Sequence, residues 1–402
     1  MSHTLAALGG PKVRTRPMPP RLAFVGQEAE AAVAKVLAFY RERNLDPGYQ
    51  GEFEQRYCRA FVEWMGTGGY ADAVNTGTAA VFVALAALEL PAGSPVVVSP
   101  ITDPGTISAI IFNQLRPVLM DARPGSANSG ADEFERRITP DTKAVVVVHT
   151  AGIAADILGI VDVARRRGIK VVEDCSQAHG ALANGRKVGS FGDTAAFSTM
   201  YRKAHATGGS GGVVFTLDEE LFHRARVHSD RGKPFWREGF NDKDPTTFLC
   251  AAMNFNTDEI SCAIGLESLA KLPQTIERRR AFLRLLEARL RAESGVCVPT
   301  AVTGSESPFF YTIGVNRSRL TCSKTAFAEA VRAEGIDLNP DYRYVVCEWP
   351  WVQRHLVGDT ACRNATEWRE SSFNILFNEN YGPQEADDIV SAILKVERHY
   401  RV

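Results

Sequence analysis

Apolar positions in the first half of the chain switch repeatedly between helical spacing and short continuous runs. Glu28–Arg43 and Phe53–Trp64 repeat apolar residues at helical intervals, and Thr78–Leu90 is an alanine-rich segment of helical character. Ala71–Val74, Val96–Ser99, Pro117–Met120 and Lys143–His149 are short apolar runs that predict strands. Thr106–Gln114 and Ile157–Arg167 predict helices among them, and two further apolar runs follow at Ile169–Val172 and Thr194–Ser198. Strands that are apolar along their whole length, separated by helices, imply an α/β fold whose mostly parallel sheet is covered on both faces. In such a sheet ligands sit beyond the carboxyl ends of the strands. Val74, Ser99, His149, Asp174 and Ser198 all fall at or near such ends, which predicts a single pocket.

The pattern changes after Arg231. Asp230 to Thr247 is polar and rich in Gly, Pro and Lys, as expected of a loop or lid. Glu259 to Glu293 reads as a long helix interrupted near Pro273. A smaller α+β segment follows, with a strand near Phe310–Val315, a helix near Lys324–Glu334 and a last helix near Glu385–Tyr400. The expected organisation is an irregular N-terminal arm over residues 1–25, a large domain over 26–255, and a long helix with a small C-terminal domain over 256–402.

Composition narrows the class. The chain has 402 residues, of which 45% are hydrophobic and 23% charged, as in an ordinary globular protein able to bury a sizeable core. Its net charge of −1 gives no bulk attraction to nucleic acid or acidic lipid. No apolar run approaches the roughly 20 residues of a membrane span. The apolar patch at the N-terminus precedes the basic residues, the reverse of a secretory signal. Eight cysteines are spread thinly, without C-x-x-C pairs or zinc-ligand spacing, which predicts reduced thiols, a cytoplasmic location and no metal site. Cys175 reads as a small buried apolar residue rather than a catalytic thiol.

The chemistry is concentrated between Ile169 and Val214. An apolar run ends in Glu173–Asp174; a second ends at Ser198, five residues before Lys203; and the glycine cluster Gly208–Gly212 closes the stretch. A carboxylate at one strand end and an amine beyond the next suit pyridoxal phosphate, which needs an acid to keep its ring nitrogen protonated and an amine to hold its aldehyde. A phosphate site is offered by Asn75-Thr76-Gly77-Thr78-Ala79-Ala80, where a strand gives way to a helix N-terminus. Taken alone, that segment is equally well read as helix capping by Thr76 or Thr78. Asp174 taken alone could be a solvated loop acid, and Lys203 a surface lysine.

Several motifs occur together and in order: Glu173-Asp174-x-x-Gln177-Ala178-His179-Gly180, then Gly189-Ser190-Phe191-Gly192-Asp193, then Phe197-Ser198 with Lys203. In these the chain resembles the DegT/StrS family of fold-type-I aminotransferases, from about Phe53 to the last helix. The resemblance implies that Lys203 links the cofactor and that Asp174 meets its ring nitrogen. Gln177 would contact the pyridine hydroxyl. The Gly77-Thr78-Ala79 turn would meet the phosphate with its amides, and Ser198 with its hydroxyl. Asn254, in Asn254-Phe255-Asn256-Thr257-Asp258-Glu259-Ile260, matches the asparagine that reaches a neighbouring subunit's phosphate, which implies a homodimer with shared sites; capping of the following helix is its alternative role. His179 matches too, but a structural histidine fits as well.

There are four departures. Asn256 stands where the family has arginine, and the segment after Lys203 is one residue longer. Asp103 occupies the place of an aromatic residue that stacks on the ring, so Asp103 is expected to meet a polar group of cofactor or substrate, or else to cap the helix near Gly105. Phe377-Asn378-Glu379-Asn380-Tyr381 replaces an apolar Leu-Pro motif. The expected activity is amino transfer from an amino acid, glutamate, to the carbonyl of a sugar, nucleotide-sugar or cyclitol; an 8-amino-octulosonate transaminase is one unusual branch. The alternatives are a sugar dehydratase, which the retained Lys203 opposes, and a non-catalytic regulator.

Overall fold

The computed structural model describes residues 4–402, so the first three residues of the N-terminal arm lie outside it. The chain enters through helices α1 (Gln27–Glu42) and α2 (Glu52–Met65), then strand β1 (Tyr70–Val74), α3 (Gly77–Ala86), β2 (Pro95–Val98), α4 (Pro104–Phe112) and β3 (Arg116–Leu119). After the short α5 (Ala131–Glu135) come β4 (Ala144–Val148), α6 (Ile157–Arg167) and β5 (Lys170–Asp174). A small hairpin, β6 (Leu182–Ala183) with β7 (Arg186–Lys187), precedes β8 (Thr194–Ser198), β9 (Gly212–Thr216) and α7 (Glu219–Ser229). The long α8 (Glu259–Glu293) leads to β10 (Cys297–Pro299), β11 (Tyr311–Val315), α9 (Lys324–Ala333), β12 (Leu338–Asn339), α10 (Arg363–Ser371), β13 (Ser372–Ile375) and α11 (Pro383–Tyr400).

The large sheet runs in the order β1-β9-β8-β5-β4-β2-β3. Pairings among β3, β2, β4, β5 and β8 are parallel, whereas β9 is antiparallel to both β8 and β1. The expected mostly parallel α/β sheet is therefore present. Alternate residues of the strands face opposite layers. Val96, Val98, Val146 and Val172 pack with α3 and α4, while Val97, Val145, Val147 and Val171 pack with α6. Nearer the β1 edge, Ala73, Ala195, Phe197 and Phe215 pack with α1, α2 and the first part of α8. The second sheet, β10-β11-β13-β12, is antiparallel and shares a core with α9, α11 and the far end of α8.

The sequence pattern does not anticipate α5, the β6–β7 hairpin, α7, β10, β12, α10 or β13, and two further features differ from it. β9 follows the glycine cluster and is not anticipated by it. α8 runs through Pro273 without interruption. Proline removes one amide donor from the helix ladder, but Leu269, Leu272 and Ile276 are buried on both sides of it, and their packing carries the helix across. The N-terminal arm lies on the small domain. Leu5 and Met18 enter its core, and the buried carboxylate of Glu334 accepts from the amides of Ala6 and Val13 at 2.9 and 3.1 Å.

The acidic pair at the end of β5 divides between structure and site. Glu173 is fully buried; its two oxygens accept from the amides of Gly189, Phe191 and Gly192, each at 2.7 Å, and from His149 Nε2 at 3.0 Å. His149 Nδ1 accepts from the Ala155 amide at 3.0 Å, which leaves Nε2 as the protonated nitrogen facing Glu173. Burial works to raise the carboxyl pKa, but the bonds from His149, Gly189 and Gly192 outweigh it and hold the group below its ordinary value of 4.5. Cys175 lies near this pair, but with both histidine nitrogens engaged the three do not form an open metal site.

Because the folded value is the lower one, Glu173 stabilises the fold above the unfolded carboxyl range and loses that contribution as pH falls through the folded value. Glu173→Gln sets an amide group against backbone donors and is expected to cost about 3 kcal/mol or more in urea denaturation at neutral pH. The deficit relative to wild type should narrow as pH falls through the folded carboxyl value.

Candidate active site

A cavity of about 1100 Å³ opens at the carboxyl ends of β1, β4, β5 and β8, bounded on the far side by the small domain and the N-terminal arm. Its floor includes Asp174, the last residue of β5, only 4% exposed. One oxygen of Asp174 accepts from Thr106 Oγ1 at 2.8 Å and the other from the Ser176 amide at 3.0 Å. Thr106 in turn accepts from Thr102 Oγ1 at 2.8 Å, so a chain of hydroxyls from the start of α4 fixes the carboxylate.

Lys203 lies beyond the end of β8 in a loop without regular structure. Its side chain is half-buried, with Nζ 4.5 Å from the centre of the Phe309 ring. Burial pulls the amine down from 10.5 to about 8, against the opposing pull of Asp174 and Asp103, which favour its charge. Those attractions place both carboxylates within electrostatic reach of the amine.

The turn after β1 has the tightest geometry. A Cβ at Gly77 would lie 2.4 Å from Ser198 Cβ, and one at Gly105 would lie 2.4 Å from Thr78 Oγ1. Only glycine permits these approaches, so three elements converge where Gly77, Thr78 and Ser198 line the cavity. The capping reading of this turn also holds: Thr76 Oγ1 accepts from the Ala79 amide at 2.8 Å. The Ala79 N–H is therefore engaged, and Ala79 lies behind the cavity wall while the amides of Gly77 and Thr78 sit at the helix N-terminus. Asp103 lines the cavity and caps α4, with Oδ1 accepting from the Gly105 amide at 2.8 Å. Gln177 also lines it; its amide oxygen accepts from the Ala151 amide at 2.9 Å, and its Nε2 is 3.5 Å from the Tyr342 hydroxyl.

Asn254 stands apart. It is exposed, lies outside the cavity, and accepts from the amide and side chain of Asn256 at 3.1 and 2.9 Å. His179 is buried close to Lys203, with burial and then the neighbouring His205 and Lys203 holding its pKa well below 6.5. Its Nε2 has no hydrogen-bond partner among the described residues.

Sequence reasoning missed the far wall. Phe309, Phe310, Tyr342 and Tyr344 line it from the small domain, and burial raises the Tyr342 hydroxyl above its usual range. Arg21 and Arg279 also reach the cavity. Neither has a motif around it; the only local signal was the polar run at Asn378–Asn380, with which Arg21 and Arg279 pair. Together, a buried carboxylate, a depressed lysine and a glycine-lined helix N-terminus fit the ring nitrogen, aldehyde and phosphate of pyridoxal phosphate.

The lysine environment is directly measurable. Labelling of the cofactor-free protein with an amine-selective reagent across pH should give Lys203 a midpoint near 8. Asp103→Asn removes a charge that favours the protonated amine and should move the midpoint lower; an unmoved midpoint would show that Asp103 does not act on Lys203.

Residues 29–394 match the DegT/DnrJ/EryC1/StrS aminotransferase family. The chain is 31% identical to the GDP-perosamine synthase of Caulobacter vibrioides, over 77% of this chain and 81% of that protein. It is 35% identical to the L-glutamine:2-deoxy-scyllo-inosose aminotransferase of Streptomyces fradiae, over 78% of this chain and 74% of that one. Among solved structures, an aminotransferase from Psychrobacter cryohalolentis superposes with a TM-score of 0.84 at 26% identity, covering 94% of this chain and 98% of the other. A match that spans both domains and a cavity with this donor set lead to one conclusion: the chain belongs to the DegT/DnrJ/EryC1/StrS aminotransferase family and uses pyridoxal phosphate.

Proposed function

We propose that the protein transfers an amino group from glutamate, or an amino acid of that type, to the carbonyl of a sugar, nucleotide-sugar or cyclitol. The observation that carries this reading is the convergence of Asp174 and Lys203 on one cavity. The relatives named for perosamine and inosose chemistry support a hydroxyl-rich acceptor.

When bound, pyridoxal phosphate supplies an aldehyde that receives the amino group and a ring that accepts electron density. Asp174 holds the proton on the ring nitrogen, and Thr106 and the Ser176 amide keep its oxygens in place. Lys203 Nζ would hold the cofactor's aldehyde carbon and, once freed by the donor's amine, would move a proton from the donor's α carbon to that carbon. Its depressed pKa leaves a usable neutral fraction near pH 8. The amides of Gly77 and Thr78 and the Ser198 hydroxyl bind the phosphate. Asp103, one oxygen committed to Gly105, presents the other to hydroxyl or amino groups of the acceptor or donor. Phe309 packs against the amine, and Phe310 and Tyr342 line the same wall of the cavity.

Asn254 serves a second subunit in this reading. Its exposure and its place outside the lining of the chain's own cavity support a homodimer in which each copy completes the other's phosphate site. The absence of any disulfide among the eight cysteines supports a cytoplasmic location.

Two experiments test this. Borohydride treatment of the purified, coloured protein should fix the cofactor to the peptide bearing Lys203, and Lys203→Ala should reduce turnover by several orders of magnitude; labelling at another lysine would sink the assignment. Separately, Lys203→Ala mixed with inactive Asn254→Ala should regain part of the activity through hybrid sites. If subunits exchange and activity stays absent, the shared site is wrong.

A further inference from the structure

The loop that carries Lys203 is held by a residue from the opposite end of the chain. Arg21, in the N-terminal arm, donates from one guanidinium nitrogen to the carbonyls of Tyr201, at 2.9 Å, and Lys203, and from another to the carbonyl of Ala204 at 2.7 Å. Its Nε donates to Glu379 at 2.9 Å. The other oxygen of Glu379 accepts twice from Arg279 of α8, at 3.0 and 2.8 Å. Arg279, 1% exposed, also donates to the carbonyl of Pro308 at 3.0 Å, next to the Phe309 ring that touches the lysine amine. One carboxylate thus ties down both the backbone from which Lys203 projects and the ring against which its amine rests.

We propose that Arg21, Glu379 and Arg279 form a clamp that positions the Lys203 amine, so that docking of the N-terminal arm is a condition of full catalysis. The inference rests on Lys203 being the residue that links the cofactor. Three observations support it. The loop has no helix or strand to satisfy the carbonyls of Tyr201, Lys203 and Ala204, and Arg21 is their donor, while Tyr57 and Ser268 hold the next residues, His205 and Ala206. The charges are shielded, with side-chain exposures of 14% for Arg21 and Glu379 and 2% for Arg279, so their attraction is little weakened by solvent. The arm is seated independently, because Asn378 Nδ2 donates to the Pro19 carbonyl at 2.8 Å and Asn380 Nδ2 to that of Pro20 at 2.9 Å. The polar run that replaces an apolar motif at 378–380 is therefore the dock for the arm. These residues position the lysine and are not assigned contact with substrate.

The test compares Arg21→Ala, Arg21→Lys, Glu379→Gln and the Arg21→Ala/Glu379→Gln double variant with wild type. Misplacing a reacting group by about 1 Å can cost on the order of 100-fold, so kcat in Arg21→Ala is expected to fall roughly 10- to 100-fold. KM for the amino donor should change by less than about threefold. Arg21→Lys, a point charge without the guanidinium fork, should recover only part of the loss. The double variant should be no slower than the worse single variant, because both break one network.

The readout independent of turnover is the titration midpoint of Lys203 in the cofactor-free protein. Loosening the loop exposes the amine, and the midpoint should rise from about 8 toward its ordinary 10.5. A lower melting temperature with an unmoved midpoint and kcat would reduce the clamp to ordinary structural contact and overturn the proposal. Should Arg21→Ala not fold, the near-isosteric Glu379→Gln carries the same test. Borohydride labelling of wild type at Lys203 with unchanged kcat in the variants overturns the clamp alone, whereas labelling elsewhere overturns the functional reading and the clamp with it.

Discussion

Glu173 is a charge with no water around it, and the fold near the site is arranged to accommodate it. A carboxylate removed from solvent demands donors on every side. Those donors come from His149 just past β4 and from the turn before β8, so satisfying Glu173 fixes β4, β5 and the approach to β8 relative to one another. The neighbouring residue points to the other face by the alternation of the strand. Asp174 consequently reaches the cavity floor from a backbone that cannot shift without exposing or unpairing its neighbour. A rigid floor is what a catalytic acid needs if its ring partner is to meet it at the same distance in every turnover.

Much of this was legible in the sequence because local chemistry and local structure agree there. The apolar runs ending at Asp174 and Ser198 are strands whose ends mark the cavity, and Ile157–Arg167 and Thr194–Ser198 coincide with α6 and β8. The segment at Gly77–Ala79 could be read as a helix cap or as an anion site, and the geometry accommodates both: Thr76 takes the Ala79 amide while Gly77 and Thr78 remain at the cavity. Asp103 likewise caps a helix and lines the cavity.

What was not legible depends on contacts between distant parts of the chain. β9 is short and follows glycines, and it becomes a strand because β1 and β8 supply partners on both edges. Pro273 is a helix breaker by local rule, but tertiary packing overrides it. Arg21 carries no local signal, since its meaning lies in carbonyls and a carboxylate that the chain order places far away. Polar residues at 378–380, where the family resemblance implies an apolar motif, were the one visible trace, and a departure from a pattern shows that something differs without naming its partner.

The seating of the N-terminal arm has a further consequence for how the chain is made. Arg21 and Glu379 are 358 residues apart, and Ala6 and Glu334 are 328 apart. The arm leaves the ribosome well before Glu334 and Glu379, by an interval of roughly 20 to 70 s at common elongation rates. The large sheet can form while that synthesis continues, because its strands lie between residues 70 and 216. The nascent chain therefore lacks the link from Arg21 to Glu379 until the small domain is made, while Tyr57 and Ser268 already hold His205 and Ala206 beside the lysine. Long-range closure of this kind comes late in folding, because its loop entropy is offset only when both ends are structured. The contact between Arg21 and Glu379 thus belongs among the late ones.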